Sequence, residues 1–203
     1  MIDYEYRITG YHCNFRNKIE RFRSNNEIYI SIDTCYLGNG MYFWDNHYDL
    51  EYWEIAKKAE AKRKAIEEPI MCISARIEYN SDEIIDLTIK EEFEKLIQIK
   101  NIVNNAHKKG NSKFENCALG EVINKLFKST DTLVSTYISK IKVMKANLRY
   151  ENIKDGYIMK ELDYYSSKLS SNQNLAFDIR TIYCVKDGAN ILFHEVLREE
   201  VAS

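Results

Sequence analysis

Two short segments carry the side chains of this chain that are best suited to bind and orient a ligand. Tyr11-His12-Cys13 ends the first β-prone segment, and a glycine-containing, aromatic segment runs from Leu37 to Trp44. An imidazole nitrogen can hydrogen-bond a sugar hydroxyl, and a phenol ring can stack on a flat heterocycle. His12 and Tyr42 are therefore the first candidates for a binding site. The alternative is that His12 is a structural residue and that the aromatic run belongs to the core.

Common catalytic and metal-binding signatures are missing from the sequence. It contains no Walker A loop, no G-x-S-x-G serine motif, no H-E-x-x-H zinc motif and no G-x-G-x-x-G dinucleotide loop. The four histidines are far apart, and the five cysteines include no C-x-x-C pair. We therefore expect no metal site and no disulfide framework, and we expect reduced, mostly buried thiols.

The composition predicts a single well-packed domain over residues 1–203. Hydrophobic residues make up 45% of the chain and charged residues 30%, with seven Gly and one Pro, which excludes collagen-like and disordered proteins. The formal net charge of −2 gives no overall attraction to nucleic acid or anionic lipid, so any nucleic-acid contact would be local. Because neither a long apolar stretch nor a signal-like start is present, we expect a cytoplasmic protein without membrane contact.

Strands and helices alternate in the first part of the chain, as judged by hydrophobic periodicity. The predicted elements are a strand at 4–13, a helix at 14–24, strands at 28–32 and 41–44, a helix from 45 to 68, a strand at 70–77 and an extended piece at 84–87. Lysines and glutamates interleave along the long helix, which is typical of a solvated face. The alternative for this lysine run is a nucleic-acid groove.

The middle of the chain has helical spacing instead. It predicts three helices, at 89–103, 119–127 and 134–144, and two strands close the sequence at 177–186 and 190–197. This order favours an α+β fold with segregated layers over a regular βαβ array.

The two motifs resemble the first two motifs of the His-Tyr-Glu branch of the ADP-ribosyltransferase superfamily, which includes poly(ADP-ribose) polymerases and diphtheria-like toxins. In that branch a strand ends in Tyr/Phe-His-Gly, and a later G-x-G-x-Tyr-Phe leads into a helix. The resemblance covers roughly residues 4–87 and returns loosely in the strand 177–186. It implies a split β-sheet core, with residues 88–150 as a helical insertion.

The resemblance also implies roles for individual residues. His12 would hydrogen-bond a ribose of NAD, Tyr42 would stack on the nicotinamide, and Gly38 and Gly40 would allow a close backbone approach. Cys13 replaces the family's glycine and would contact NAD through its backbone.

A catalytic glutamate is also required by the resemblance. The strand where the family carries it reads Asp178-Ile179-Arg180, with no glutamate or glutamine. Glu195 and Glu161 are the remaining candidates.

The resemblance implies an enzyme that cleaves NAD and transfers ADP-ribose to a protein or nucleic-acid acceptor. The Ile/Lys/Asn/Tyr-rich composition suggests a bacterial or phage source, in which such a domain would fit a toxin with an antitoxin partner or a phage-linked effector. Two alternatives stay open. One is a catalytically silent protein of the same fold that binds NAD or ADP-ribose, and the other is an α+β protein whose middle helices bind a partner.

Overall fold

The computed structural model describes residues 4–106, 117–149 and 179–200. These residues form an α+β structure around one seven-stranded mixed sheet, as predicted at this level. The strands are β1 Tyr6–Phe15, β2 Met41–Trp44, β3 Ile70–Tyr79, β4 Ile84–Asp86, β5 Val143–Arg149, β6 Ile179–Val185 and β7 Asn190–Glu200. The helices are α1 Arg16–Asn25, α2 His47–Lys64, α3 Lys90–Ala106, α4 Leu119–Phe127 and α5 Thr132–Ile138. None of these helices is both long and apolar enough to cross a bilayer.

The order of strands across the sheet is β4-β5-β6-β2-β1-β3-β7. All neighbours are antiparallel except β4 and β5, which are parallel. β1 pairs with β3 along its full length, from Tyr6 opposite Tyr79 to Phe15 opposite Ile70. The chain's first strand therefore lies inside the sheet, and its second half, from Gly10 to Phe15, is mostly buried.

Different helices cover the two faces of the sheet. Leu50 of α2, Val122 of α4 and Val134 of α5 are buried in the core on one face. On the other face, Ile19 and Phe22 of α1 pack with the buried side chains of β2 and β3. Because successive strand residues point to opposite faces, Tyr42 and Trp44 belong to the first core, and Met41 and Phe43 belong to the second.

The junction between β1 and β2 is the weakest pairing inside the sheet. Tyr11 opposite Trp44 is their one paired position, whereas β2 pairs with β6 at all four of its residues. Beyond Tyr11 no further residues of the two strands pair. The sheet is therefore continuous at this position and open beyond it.

The structure differs from the sequence prediction in two segments. Residues 28–32 form no strand, and a single bridge joins Ser31 to Gly40 instead. Both edges of β2, the strand that follows Gly40, are already paired with β1 and β6. The predicted helix at 134–144 ends at Ile138, and Val143–Arg149 forms β5 between β4 and β6. The region expected to be a helical insertion thus supplies a strand of the central sheet.

Candidate functional site

A cavity of about 390 Å³ lies where β1 and β2 separate. Its lining includes His12 and Asn14 of β1, and Tyr42 and Trp44 of β2. His12 and Tyr42, the two residues that the sequence motifs single out, thus line the same cavity. The volume is within the range of about 300–1,000 Å³ that is common for small-molecule sites.

The His12 imidazole bridges the gap between the two strands. Its Nδ1 lies 2.6 Å from the backbone oxygen of Tyr42, so that this nitrogen carries the proton and donates it to the carbonyl. Nε2 is left as an acceptor, and among the described residues the Asn14 amide nitrogen lies 3.4 Å from it. Burial lowers the pKa of His12 to about 4, which keeps the ring neutral at pH 7. A neutral imidazole with a weakly engaged acceptor can bind a sugar hydroxyl.

The Tyr42 side chain is fixed through its hydroxyl. This oxygen lies 2.5 Å from Asp33 Oδ2 and 2.7 Å from the backbone oxygen of Gly38, and it accepts the Leu37 N–H at 3.1 Å. Burial, helped by the Asp33 carboxylate, raises the pKa of Tyr42 well above its usual range. The phenol therefore stays protonated, and its ring forms part of the cavity wall.

Asp33 organises the loop that precedes β2. Its carboxylate accepts the backbone N–H groups of Cys35, Tyr36 and Gly38 at 3.0 to 3.1 Å, in addition to its contact with the Tyr42 hydroxyl. Asp33 also lines the cavity. No sequence motif pointed to this residue, although an aspartate followed closely by N–H donors and glycines is a common turn signal.

Two further side chains hold the same loop from outside. The buried Lys186 ammonium donates to the backbone oxygens of Leu37 and Asn39 at 2.6 and 2.8 Å. Asn124 of α4 donates to the backbone oxygen of Asp33 at 2.6 Å and accepts the Asn39 N–H at 2.7 Å. Burial lowers the pKa of Lys186. The loop that precedes β2 is therefore tied both to the residue that follows β6 and to α4.

The two glycines of the second motif serve packing inside the protein. Gly38 has φ +74°, and a Cβ there would lie 2.6 Å from Asn124 Oδ1. A Cβ on Gly40 would lie 2.7 Å from the backbone oxygen of Val185. Neither glycine lines the cavity, so the close approach that the sequence predicts is an approach to α4 and β6.

One face of α2 forms the opposite wall of the cavity. Trp53, Lys57, Glu60 and Lys64 line it, at the spacing of three and four residues that aligns side chains on a helix. The Asn46 side chain caps this helix by accepting the Asp49 N–H at 2.9 Å. The prediction of a solvated face is therefore wrong for Lys57 and Glu60, whose side chains are 15% and 25% exposed, because the helix packs across the sheet opening, and it is confirmed for Lys64, whose side chain is 54% exposed.

The structure does not bring the other predicted residues to the cavity. Cys13 is fully buried in the core, where a hydrogen bond with the Cys72 thiol and burial raise its pKa. Glu195 lies on the edge strand β7, with its side chain 58% exposed, and β3 separates that strand from β1. Glu161 lies outside the described residues.

Two carboxylates line the cavity in the described ranges, and both are engaged. Asp33 contacts the Tyr42 phenol, and Glu60 accepts from Lys57 and Lys64 at 2.8 and 2.7 Å. The two lysines lower the pKa of Glu60 to about 2. Within the described part of the chain, no group of three or more His, Cys, Asp or Glu side chains could hold a metal ion.

The candidate site is therefore an opening in the central sheet. It is lined by a neutral imidazole, a fixed phenol and a helix that carries lysines. Comparison with known proteins adds no assignment. No protein-family model, no curated protein and no solved structure matches the chain.

Proposed function

We propose that this protein is an ADP-ribosyltransferase-like enzyme that binds NAD in the cavity between β1 and β2 and transfers ADP-ribose to a protein or nucleic-acid acceptor. The observation that carries the proposal is the meeting of His12 and Tyr42 in one cavity of about 390 Å³. The split-sheet fold implied by the resemblance is part of the proposal, and the single paired position between β1 and β2 supports it.

The imidazole suits the recognition of a ribose. His12 keeps its Nδ1 proton on the Tyr42 carbonyl and offers Nε2 as an acceptor, so a ribose hydroxyl can donate to it. Because the pKa of His12 is about 4, this acceptor persists throughout the neutral pH range. Fixing the sugar in this way orients the glycosidic bond for cleavage.

The aromatic side chains suit the recognition of nicotinamide. Tyr42, Trp44 and Trp53 all line the cavity, and the rings of the two tryptophans lie 6.1 Å apart, centroid to centroid. Stacking on such rings would hold the flat nicotinamide while its bond to the ribose breaks. The departing group leaves positive charge on the ribose, which a nearby carboxylate would stabilise.

A catalytically silent protein that binds NAD or ADP-ribose is the second candidate function. It is favoured by the engagement of both cavity-lining carboxylates in the described ranges, Asp33 by the phenol and Glu60 by two lysines. In that protein the cavity would recognise the same ligand, but without a carboxylate to stabilise the charge on the ribose.

Nicotinamide release from NAD tests the proposed function. We expect release by the wild-type protein and by His194→Gln, whose side chain is exposed on β7. His12→Gln should lower kcat/KM about 100-fold, because it removes the group that positions the sugar.

Melting temperature in the presence of NAD separates the two candidates. The silent protein would gain stability by RT ln(1 + [NAD]/Kd) and release no nicotinamide. Absence of both release and stabilisation would contradict both candidates and would favour the partner-binding alternative.

A further inference from the structure

Three lysines line one end of the cavity, next to His12. Lys18 comes from α1, and Lys57 and Lys64 come from the wall formed by α2. The ammonium groups of Lys18 and Lys57 lie 5.7 and 5.8 Å from the centroid of the same ring, that of Phe15. Both lysines also act on the imidazole, since their charges contribute to the lowered pKa of His12. The lysines and the histidine thus form one neighbourhood.

Glu60 holds two of these lysines without using up their donors. Lys57 Nζ lies 2.8 Å from one carboxylate oxygen, and Lys64 Nζ lies 2.7 Å from the other. An ammonium group has three N–H donors, so each of these lysines keeps donors for a further acceptor. The glutamate therefore sets the spacing of the two cations along the cavity wall.

Lys18 has no carboxylate partner in the described part of the chain. Its ammonium group lies over the ring of Tyr29, 4.0 Å from the centroid. Because the other cavity-lining carboxylate, Asp33, is committed to the Tyr42 hydroxyl and to backbone N–H groups, three ammonium groups face one carboxylate at this end. The neutral His12 adds no charge, so the described side chains at this end carry a net positive charge.

We propose that Lys18, Lys57 and Lys64 form a diphosphate subsite, which places the pyrophosphate of a nucleoside diphosphate beside the ribose bound by His12. The inference rests on the proposed function, and it assigns the three lysines to the diphosphate part of the dinucleotide. Ammonium groups bind phosphate as strong point charges, and the partial burial of Lys57, whose side chain is 15% exposed, strengthens its attraction by reducing solvent screening. The site should accordingly prefer ADP or ADP-ribose to a nucleoside without phosphate.

Calorimetric titration with ADP and with adenosine tests the subsite. Lys18→Met is the main variant, because it leaves no carboxylate without its partner. Lys62→Met is the matched control, since Lys62 is exposed on the last turn of α2 and does not line the cavity. At low ionic strength we expect Lys18→Met to weaken ADP binding about 10-fold, to leave adenosine binding unchanged and to differ from Lys62→Met.

Three results would overturn the inference. They are a wild-type protein that does not bind ADP at millimolar concentration, equal losses for ADP and adenosine in Lys18→Met, and an ADP affinity that Lys18→Met leaves unchanged.

The same experiments distinguish failure of the proposed subsite from failure of the proposed activity. If Lys18 governs ADP binding but no nicotinamide is released from NAD, the subsite stands and the proposed activity fails. If nicotinamide is released but Lys18→Met changes neither ADP affinity nor the KM for NAD, the activity stands and the subsite fails.

Discussion

The two ends of the cavity differ in whether their polar groups are bonded within the protein or remain free to bind a ligand. At the phenol end, formed by Asp33, Gly38 and Tyr42, polar groups are satisfied within the protein, so that its shape is fixed. At the lysine end, formed by His12, Lys18, Lys57 and Lys64, donors and an acceptor remain for a ligand. A ring is recognised by a rigid surface, whereas a phosphate is recognised by charge. The contrast predicts that mutations at the first end change stability and that those at the second change affinity.

The largest effect should come from Asp33→Ala at the phenol end. Removing this carboxylate leaves the N–H groups of Cys35, Tyr36 and Gly38 without their acceptor and leaves the Tyr42 hydroxyl with the Gly38 carbonyl alone. Because donors that lose a charged acceptor and stay unsatisfied destabilise the folded state, the free energy of unfolding should fall by about 3 kcal/mol. Urea unfolding at pH 7 measures this change.

Asp82→Ala provides the control for Asp33→Ala, since Asp82 is exposed and its removal should change stability by less than about 0.5 kcal/mol. If the two variants unfold at the same urea concentration, the phenol end is not fixed by Asp33.

A smaller effect should come from pH, through His12. Its pKa is about 4 in the folded protein and about 6.5 in the unfolded chain. The unfolded state therefore binds more protons between these values, and stability falls as the pH is lowered through this window. From pH 7 to pH 5 the loss due to His12 should be about 2 kcal/mol.

Denaturant unfolding at both pH values measures the His12 contribution. His12→Gln should lose this part of the pH dependence, whereas His194→Gln, altered at an exposed position, should retain it. An unchanged pH dependence in His12→Gln would mean that the imidazole is not kept neutral by burial.

The smallest effect should come from Glu60→Gln at the lysine end. The substitution removes the carboxylate that partly neutralises Lys57 and Lys64, so ADP affinity should rise about 3-fold at low ionic strength. Glu67→Gln is the control with the same change of net charge, because Glu67 is exposed and does not line the cavity. Weaker ADP binding in Glu60→Gln would show that the lysine end depends on spacing more than on charge.

The sequence predicted most of the regular elements near the site. Alternation identified β1, short β-prone runs identified β3 and β6, and helical spacing identified α1 and α2, because these patterns are local. It did not predict β5, Val143–Arg149, because Met144 also continues the helical spacing of Tyr137 and Ile141. Only pairing with β4 and β6 decided between helix and strand.

The candidate site was predictable in part, for the same reason. The motifs singled out His12 and Tyr42, which line the cavity, but they also singled out Cys13, Gly38 and Gly40, which do not. Side chains in a strand alternate between faces, so the thiol next to His12 points into the core. A motif identifies a segment, whereas the register of the strand decides which side chains reach the ligand.

The sequence by itself determined the α+β class and the placement of an imidazole at the end of one strand and a phenol in another. It could do so because periodicity and residue type are properties of short stretches of chain. The tertiary structure alone decided that β1 and β2 separate after one paired position, that Asp33 fixes the phenol and that Lys57 and Lys64 face the cavity. These features depend on contacts between segments that are distant in sequence, and such contacts exist only once the sheet has assembled and the helices have packed on it.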